Sequence, residues 1–269
     1  MANPLLTAWR WLIESWHEIN ATRDPAAHAG RFEVGLVIVA CLGLMTPQFL
    51  GSELTFVQTA LGLGLAPDWE AVRLHPWGAL GALWFWVAAC VAGYFALPAI
   101  YLKLSGRSVL DFGLRPAGLT THFGVYAALC GLVLIGVVGV SYLPDFQRIY
   151  PFYDFADRSW LDLLLWELAY AVQFFALEFF FRAFLLEGLR RTMGAGAILV
   201  MLMPYCMLHF PKTGVESAAS VIAGLVLGVM AMRWRSIWGG VLIHTTVAVS
   251  MDLASLLQQG RLPPPTWAP

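Results

Sequence analysis

Several ionisable residues lie inside long apolar stretches in the second half of this sequence. They are Glu167, Glu178, Arg182, Glu187, His209, Glu216, His244 and Asp252. A charged side chain at the centre of a membrane helix costs about 2.5–3.5 kcal/mol, so a functional site is the expected reason for finding one there. Histidines and carboxylates that meet in a dry cavity can activate water by general-base catalysis or bind a divalent metal.

The spacing of these residues leaves both structural and chemical interpretations open. Glu178 and Arg182 are four residues apart, which puts them on one helix face as an ion pair that lowers the cost of burial or as part of a site. His209 is close to Pro211 at a predicted helix end, where a histidine that only satisfies local hydrogen bonds is common. Glu216 begins a helix after Thr213, so it also suits the positive end of the helix dipole.

The estimated depths of these polar residues in the membrane overlap. At 1.5 Å per residue from the nearest cytoplasmic joint, Glu178 lies about 18 Å deep, His209 about 24 Å and His244 about 14 Å. Glu216 and Asp252 both lie about 26 Å deep. Asp252 is eight residues after His244, about 80° round the helix, so the two project broadly to the same side. We therefore predict that Glu178, Arg182, His209 and His244 line one cavity.

The elements that position these residues are membrane helices. Of the 269 residues, 59% are hydrophobic and 12% charged, and the mean hydropathy is +0.69, whereas soluble domains are about 45–50% apolar and about 25% charged. The chain is therefore an integral membrane protein. Its net charge of −1 provides no basic field for a nucleic-acid backbone, so DNA and RNA are not expected partners.

Seven apolar stretches are long enough to be considered as spans, which need about 20 residues. They lie near 33–51, 77–102, 121–143, 159–189, 194–210, 216–234 and 236–257. The fourth is long enough to hide two elements, so we predict an all-α polytopic transmembrane bundle of about seven to eight spans. Residues 54–65 are too short for a span, and they favour an interfacial or re-entrant segment.

The basic residues predict the orientation. With seven spans and a cytoplasmic N-terminus, the inner segments hold ten Lys and Arg residues and the outer segments five, as the positive-inside rule requires. Residues 1–31 are expected to be a cytoplasmic or interfacial segment, because Trp9, Leu12, Ile13 and Trp16 share one helical face. An ordinary packed helix explains that face about as well.

Three short motifs on successive predicted helices resemble those of the CPBP intramembrane protease family. They are LEFFFRAFLL at 177–186, YCMLH at 205–209 and HTTVA at 244–248. The family includes type II CAAX prenyl endopeptidases and bacterial bacteriocin-processing or immunity proteins. The resemblance implies a catalytic core at 151–258, preceded by membrane helices at 32–150 and followed by a tail at 259–269. It also implies location in a bacterial inner membrane.

Two positions depart from the family pattern. Leu177 stands where the family has the first of two adjacent glutamates, and Ala248 stands where it has an asparagine. In the family, the first glutamate and the second-motif histidine, here His209, polarise the attacking water. The third-motif histidine, here His244, and the asparagine stabilise the oxyanion. The chain is thus either catalytically impaired or has moved these functions to other residues.

The resemblance implies an intramembrane endopeptidase that cleaves a peptide bond near the membrane interface. Its catalytic residues would be Glu178, His209 and His244, supported by Arg182, Glu216 and Asp252. A divalent metal such as zinc is an open alternative, with His209, Glu216, His244 and Asp252 as candidate ligands. The expected partners are membrane lipid and a peptide or membrane-protein substrate.

Two other functions compete with this one. A non-catalytic family member, such as a membrane partner or immunity protein, would also explain Leu177 and Ala248. A small transporter would explain buried carboxylates, although no paired, interrupted repeat is visible.

Because the first glutamate of the family pattern is missing, Glu178 would have to point in a different direction to replace it. Leu177 and Glu178 differ by about 100° around an α-helix. If Glu178 acts as the base, a modest rotation or a kink among the neighbouring aromatic residues has to turn it toward the histidines.

Overall fold

This computed structural model describes residues 4–265 and 267, and in that part the regular secondary structure is helical, with no strand. The described residues form thirteen α-helices, with two π-helical segments inserted, Val91–Ala96 and Phe179–Leu185, and a 3₁₀ turn at Val109–Asp111. The α-helices are α1 Pro4–Ala21, α2 Arg31–Leu50, α3 Glu53–Gly62, α4 Trp69–Leu74, α5 Gly78–Cys90, α6 Leu97–Leu104, α7 Ala117–Val140, α8 Pro144–Ile149, α9 Trp160–Glu178, α10 Leu186–Met193, α11 Gly196–Met207, α12 Gly214–Trp234 and α13 Trp238–Gln258.

Within the described part of the chain, six helices are long and apolar enough to cross a membrane, which confirms the polytopic helical class. They are Arg31–Leu50, Gly78–Leu104, Gly118–Val140, Trp160–Met193, Gly214–Trp234 and Trp238–Gln258. The fifth predicted stretch, 194–210, contains only the 12-residue helix α11, which is about 18 Å long against a hydrocarbon core of about 30 Å. The fourth stretch does not hide two separate helices, because Trp160–Met193 is one helical run of 34 residues.

The described chain forms two compact units that interleave along the sequence. The first comprises the chain up to Ala40, Pro98–Tyr126 and Glu178–Gly240. The second comprises Cys41–Leu97, Ala127–Leu177 and the chain from Val241 onward. Each unit therefore combines segments that are far apart in sequence, and the division into consecutive segments made from the sequence stays a prediction.

In the first unit, α1 packs against α12 on one side and exposes apolar residues on the other. Ser15 and Ile19 are buried, and the rings of Trp11 and Trp234 lie 5.9 Å apart. Trp9 and Ile13 remain exposed. The helix is thus packed along one face, and its position at the membrane surface stays a prediction.

A hydrogen-bonded ion pair also fixes the chain after α1. The Arg191 guanidinium donates to Asp24 at 2.9 Å, while the Asp24 amide donates to the Arg191 carbonyl oxygen. The side-chain hydrogen bond holds the pKa of Asp24 below its usual value. This contact is therefore expected to persist at neutral pH and to weaken only as acid protonates Asp24.

In the second unit, an ion pair that also satisfies neighbouring hydroxyl groups holds the start of α9. Asp162 is fully buried and accepts hydrogen bonds from Arg158 at 2.6 and 3.0 Å, from Tyr153 at 2.9 Å and from Ser159 at 2.8 Å. Burial raises the pKa of the Tyr153 phenol, which therefore stays protonated as a donor. The network fixes the segment before α9 to the first turn of that helix.

We expect Asp162→Asn to lower the free energy of unfolding by about 3 kcal/mol, because Arg158 then loses its buried counter-charge. Thermal unfolding in detergent measures the change. The matched control is Asp145→Asn, which removes an exposed pair with Arg148 and should cost less than about 1 kcal/mol. Equal losses in the two variants would contradict the structural role of Asp162.

Candidate active site

Glu178 and Arg182 form a buried ion pair in the first unit. The distance from Arg182 Nη1 to Glu178 Oε1 is 3.2 Å, and both side chains are fully removed from solvent. Each charge offsets much of the cost of burying the other, although such a pair seldom stabilises a fold more than apolar residues would. The pairing predicted from the four-residue spacing is therefore present.

The helix departs from α geometry directly after Glu178. The segment Phe179–Leu185 is π-helical and fully buried, and α-helical geometry resumes at Leu186. A π-helical turn makes i to i+5 hydrogen bonds, so it changes the angular position of the side chains that follow, and such turns are frequent at functional sites. A kink among these aromatic residues was one of two ways to turn Glu178 toward the histidines, and whether this segment does so stays a prediction.

Two consecutive glycines bring the start of α13 against this region. A Cβ atom at Gly240 would lie 2.0 Å from Glu178 Oε2, and one at Gly239 would lie 1.9 Å from the Tyr126 ring. Any side chain at Gly240 would therefore overlap the carboxylate. The two Glu178 oxygens thus have different surroundings, with Arg182 beside Oε1 and the Gly240 backbone beside Oε2.

A chain of contacts leads from this ion pair to His209. The Arg182 guanidinium lies over the Tyr205 ring, 4.1 Å from its centroid, and the Tyr205 and His209 rings lie 4.9 Å apart. His209 Nδ1 is 2.9 Å from the Tyr205 carbonyl oxygen. If Nδ1 donates this hydrogen bond, Nε2 is left as the acceptor nitrogen of a neutral ring.

Glu216 lies at the same end of the site, on the first turn of α12. The Thr213 hydroxyl accepts a hydrogen bond from the Glu216 amide at 3.1 Å, which is a standard N-cap. The Ser217 hydroxyl donates to the His209 carbonyl oxygen at 2.6 Å, so α12 holds the turn that carries the histidine. The Tyr205 ring contacts Arg182 and His209, so the first unit brings the ion pair and this histidine to one tyrosine.

His244 and Asp252 belong to the second unit, where each has its own surroundings. The His244 ring is stacked on Phe174, with centroids 5.4 Å apart and planes within 3°. Asp252 is fully buried and accepts hydrogen bonds from Trp166 Nε1 at 2.8 Å and from the Phe152 amide at 3.2 Å. These contacts give Asp252 a structural role in joining α13 to α9 and to the segment before it.

The predicted metal site receives no support from the geometry. Within residues 4–265 and 267, no three His, Cys, Asp or Glu side chains come together in a way that could hold a metal ion. His209, Glu216, His244 and Asp252 were the candidate ligands, and the hydrogen bonds that Asp252 accepts explain its carboxylate without a metal. We therefore derive no step of the chemistry through a metal.

Tyr126, on α7, is a polar residue near Glu178 that the sequence analysis did not identify. Its side chain is 1% exposed, and its hydroxyl group has no hydrogen-bond partner among the described residues. Its ring contacts Gly239, the neighbour of Gly240, and Glu178 interacts with it electrostatically. A tyrosine in an apolar stretch gives no signal by itself, so only the fold could have revealed it.

Comparison with known proteins agrees with the motifs. Residues 159–250 match the family model described as type II CAAX prenyl endopeptidase Rce1-like. This segment belongs to the CAAX protease-like family. It holds Glu178, Arg182, His209 and His244, whereas Asp252 lies just beyond it and Tyr126 well before it. No curated protein and no solved structure matches the chain.

The family is one of CAAX protease-type intramembrane peptidases, and the helices of this chain fit an integral membrane protein of that kind. The matched segment is about a third of the chain.

We expect Gly240→Ala to lower the free energy of unfolding by about 1–3 kcal/mol, because the new methyl group overlaps the Glu178 carboxylate in a packed interior. Thermal unfolding in detergent measures the loss. Gly136→Ala is the matched control, since a Cβ atom there meets no other group. Equal stability of the two variants would show that Gly240 does not constrain Glu178.

Proposed function

We propose that this chain is an intramembrane endopeptidase in which Glu178 is the general base. The observation that carries the proposal is the position of Glu178, which is fully buried within the segment that matches the family. One of its carboxylate oxygens pairs with Arg182, and the Gly240 backbone closely approaches the other. A carboxylate held in one orientation in a dry environment suits proton transfer. The peptide bond that it cleaves would lie near the membrane interface.

The chemistry requires one water molecule and no covalent intermediate. Glu178 accepts a proton from water while the water oxygen attacks the carbonyl carbon, and His209 orients that water through its imidazole ring. The tetrahedral intermediate then collapses as the carbon–nitrogen bond breaks. Glu178 returns the proton to the departing amine, which regenerates the carboxylate. Arg182 keeps Glu178 oriented, and Glu216 supports the turn that carries His209.

The oxyanion of this intermediate needs hydrogen-bond donors. We assign one to His244, as the resemblance implies, and a second to Tyr126. The family's asparagine is absent because Ala248 has no polar group, and Asp252 cannot replace it, since an ionised carboxylate donates no hydrogen bond. The buried Tyr126 hydroxyl is a donor that has no acceptor among the described residues, and it lies near Glu178.

We expect Glu178→Gln to reduce cleavage at least about a hundredfold, because the amide keeps the shape of the side chain and loses the base. The assay is cleavage of a peptide library, in prenylated and unprenylated forms, by the purified protein in liposomes. Glu14→Gln, which removes an exposed carboxylate from α1, is the control and should retain full activity. Full activity in Glu178→Gln would remove Glu178 from the mechanism.

Tyr126→Phe should lower kcat about a hundredfold, the usual effect of removing one oxyanion donor, with little change in KM. The ring that packs against Gly239 is retained, so the melting temperature should not fall. Tyr142→Phe is the control because Tyr142 is 64% exposed. Unchanged kcat in Tyr126→Phe would show that the donor lies elsewhere.

A non-catalytic role is the second candidate function, and Leu177 and Ala248 are the observations that favour it. In this case the chain would keep the family's helices and its buried ion pair as a binding surface for another membrane protein. The same peptide assay separates the two functions, since a non-catalytic chain releases no product above the level of Glu178→Gln.

A further inference from the structure

A polar cleft lies at the ends of membrane helices in the first unit. It has a volume of about 280 Å³ and is lined by Gly106, Arg107, Ser108, Asp111, Phe112, Glu187 and Arg235. Arg107 follows the candidate span that ends at Leu104, and Arg235 joins the spans Gly214–Trp234 and Trp238–Gln258. Because the spans end here, the cleft lies at the level where a bilayer presents its headgroups.

The cleft and the residues that pair with its lining carry more positive than negative charge. Glu187 accepts hydrogen bonds from two arginines, Arg190 at 2.7 Å and Arg235 at 2.8 Å. Asp111 pairs with Arg115 at 2.8 Å. Each carboxylate of the lining is thus compensated, and the guanidinium groups outnumber the carboxylates by four to two when Arg107 is included. Such a site attracts an anion.

Arg107 is the cation that remains available. Its guanidinium lies over the Phe32 ring, 3.8 Å from the centroid, and it has no ion-pair partner among the described residues. The cation–π contact orients the side chain without neutralising its charge. The hydroxyl of Ser108 makes no capping hydrogen bond to the turn that follows, so a second donor borders the cleft beside Arg107.

The backbone of Arg235 is the second unusual feature. With φ 51° and ψ 42°, it ends α12 in the left-handed conformation, and it is the one non-glycine residue with positive φ in the part of the chain that is described. Glycine is the usual residue at such a helix end because it has no Cβ atom to strain. An arginine there is explained if its side chain is needed in the cleft.

We propose that this cleft binds the phosphate group of an anionic phospholipid. Arginine forks match phosphate oxygens, and basic clusters next to membrane helices bind anionic headgroups. The cleft has room for a phosphodiester and the adjoining glycerol, since its volume equals that of about nine water molecules. The Phe32 ring and the ends of the spans provide apolar surface for the start of the acyl chains.

The test uses the full chain purified in a neutral detergent and titrated with phosphatidylglycerol. Binding is followed by native mass spectrometry and by the thermal unfolding midpoint, with phosphatidylcholine as the zwitterionic comparison. Phosphatidylglycerol should bind and raise the midpoint, and phosphatidylcholine should not. Arg107→Gln and Arg235→Gly should each weaken phosphatidylglycerol binding about fivefold.

The Arg235→Gly variant separates the contribution of the side chain to lipid binding from its contribution to the stability of the fold. Glycine accepts the left-handed conformation, so this variant should keep the unfolding midpoint of the lipid-free protein while losing affinity. Arg148→Gln, which removes an exposed arginine paired with Asp145 outside the cleft, changes the net charge equally and should leave affinity unchanged.

Three results would overturn the proposal. The first is equal binding of the two lipids, and the second is unchanged affinity in both cleft variants. The third is that inorganic phosphate at the same concentration raises the midpoint as much as phosphatidylglycerol, which would assign the cleft to a soluble phosphate compound. None of these measurements requires proteolysis, so their outcome is independent of the proposed peptidase activity.

Discussion

The buried ion pair between Glu178 and Arg182 is the interaction to which the rest of the candidate site is adapted. Neither charge is tolerable alone in an apolar interior, and removing one partner of such a pair costs about 3–5 kcal/mol. The pair therefore requires neighbours that exclude water and keep the two groups together. In this chain those neighbours are an aromatic π-helical segment, a tyrosine ring and a pair of glycines.

Each of these neighbours contacts a different part of the buried ion pair. The π-helical segment Phe179–Leu185 encloses Arg182 among aromatic side chains, while Tyr205 offers the face of its ring to the guanidinium. Gly239 and Gly240 let the backbone of α13 come closer than any residue with a side chain would allow. Tyr205 contacts both Arg182 and His209, so one side chain links the ion pair to the histidine.

The polar residues of the second unit show how similar residue types can serve a different purpose. Asp162 and Asp252 are both fully buried, and each accepts several hydrogen bonds from neighbouring segments. These contacts fasten the segment before α9, which is rich in aromatic residues, to the helices beside it. A buried carboxylate in a membrane protein therefore has either a functional or a structural role. Several hydrogen bonds from neighbouring segments, as at Asp162 and Asp252, indicate a structural role.

The sequence by itself determined the membrane class, six of the spans, the Glu178 and Arg182 pair, and the family resemblance of residues 159–250. These features depend on local periodicity and on the high cost of burying charge in an apolar stretch, both of which can be read along one helix. The resemblance depends on the order of three short motifs along the chain, although Leu177 and Ala248 depart from their pattern. Hydropathy overestimates the length of α11, and so predicts a span there, because it does not indicate where a helix ends.

The tertiary structure decided which groups surround the carboxylate. No local pattern indicates that Tyr126, Gly239 and Gly240 lie beside Glu178, since these contacts join helices that are distant along the chain. The same holds for Asp252, which hydropathy and spacing offered as a metal ligand and which the fold uses as an acceptor for Trp166 and Phe152. Proximity between helices depends on packing, and a one-dimensional pattern does not contain it.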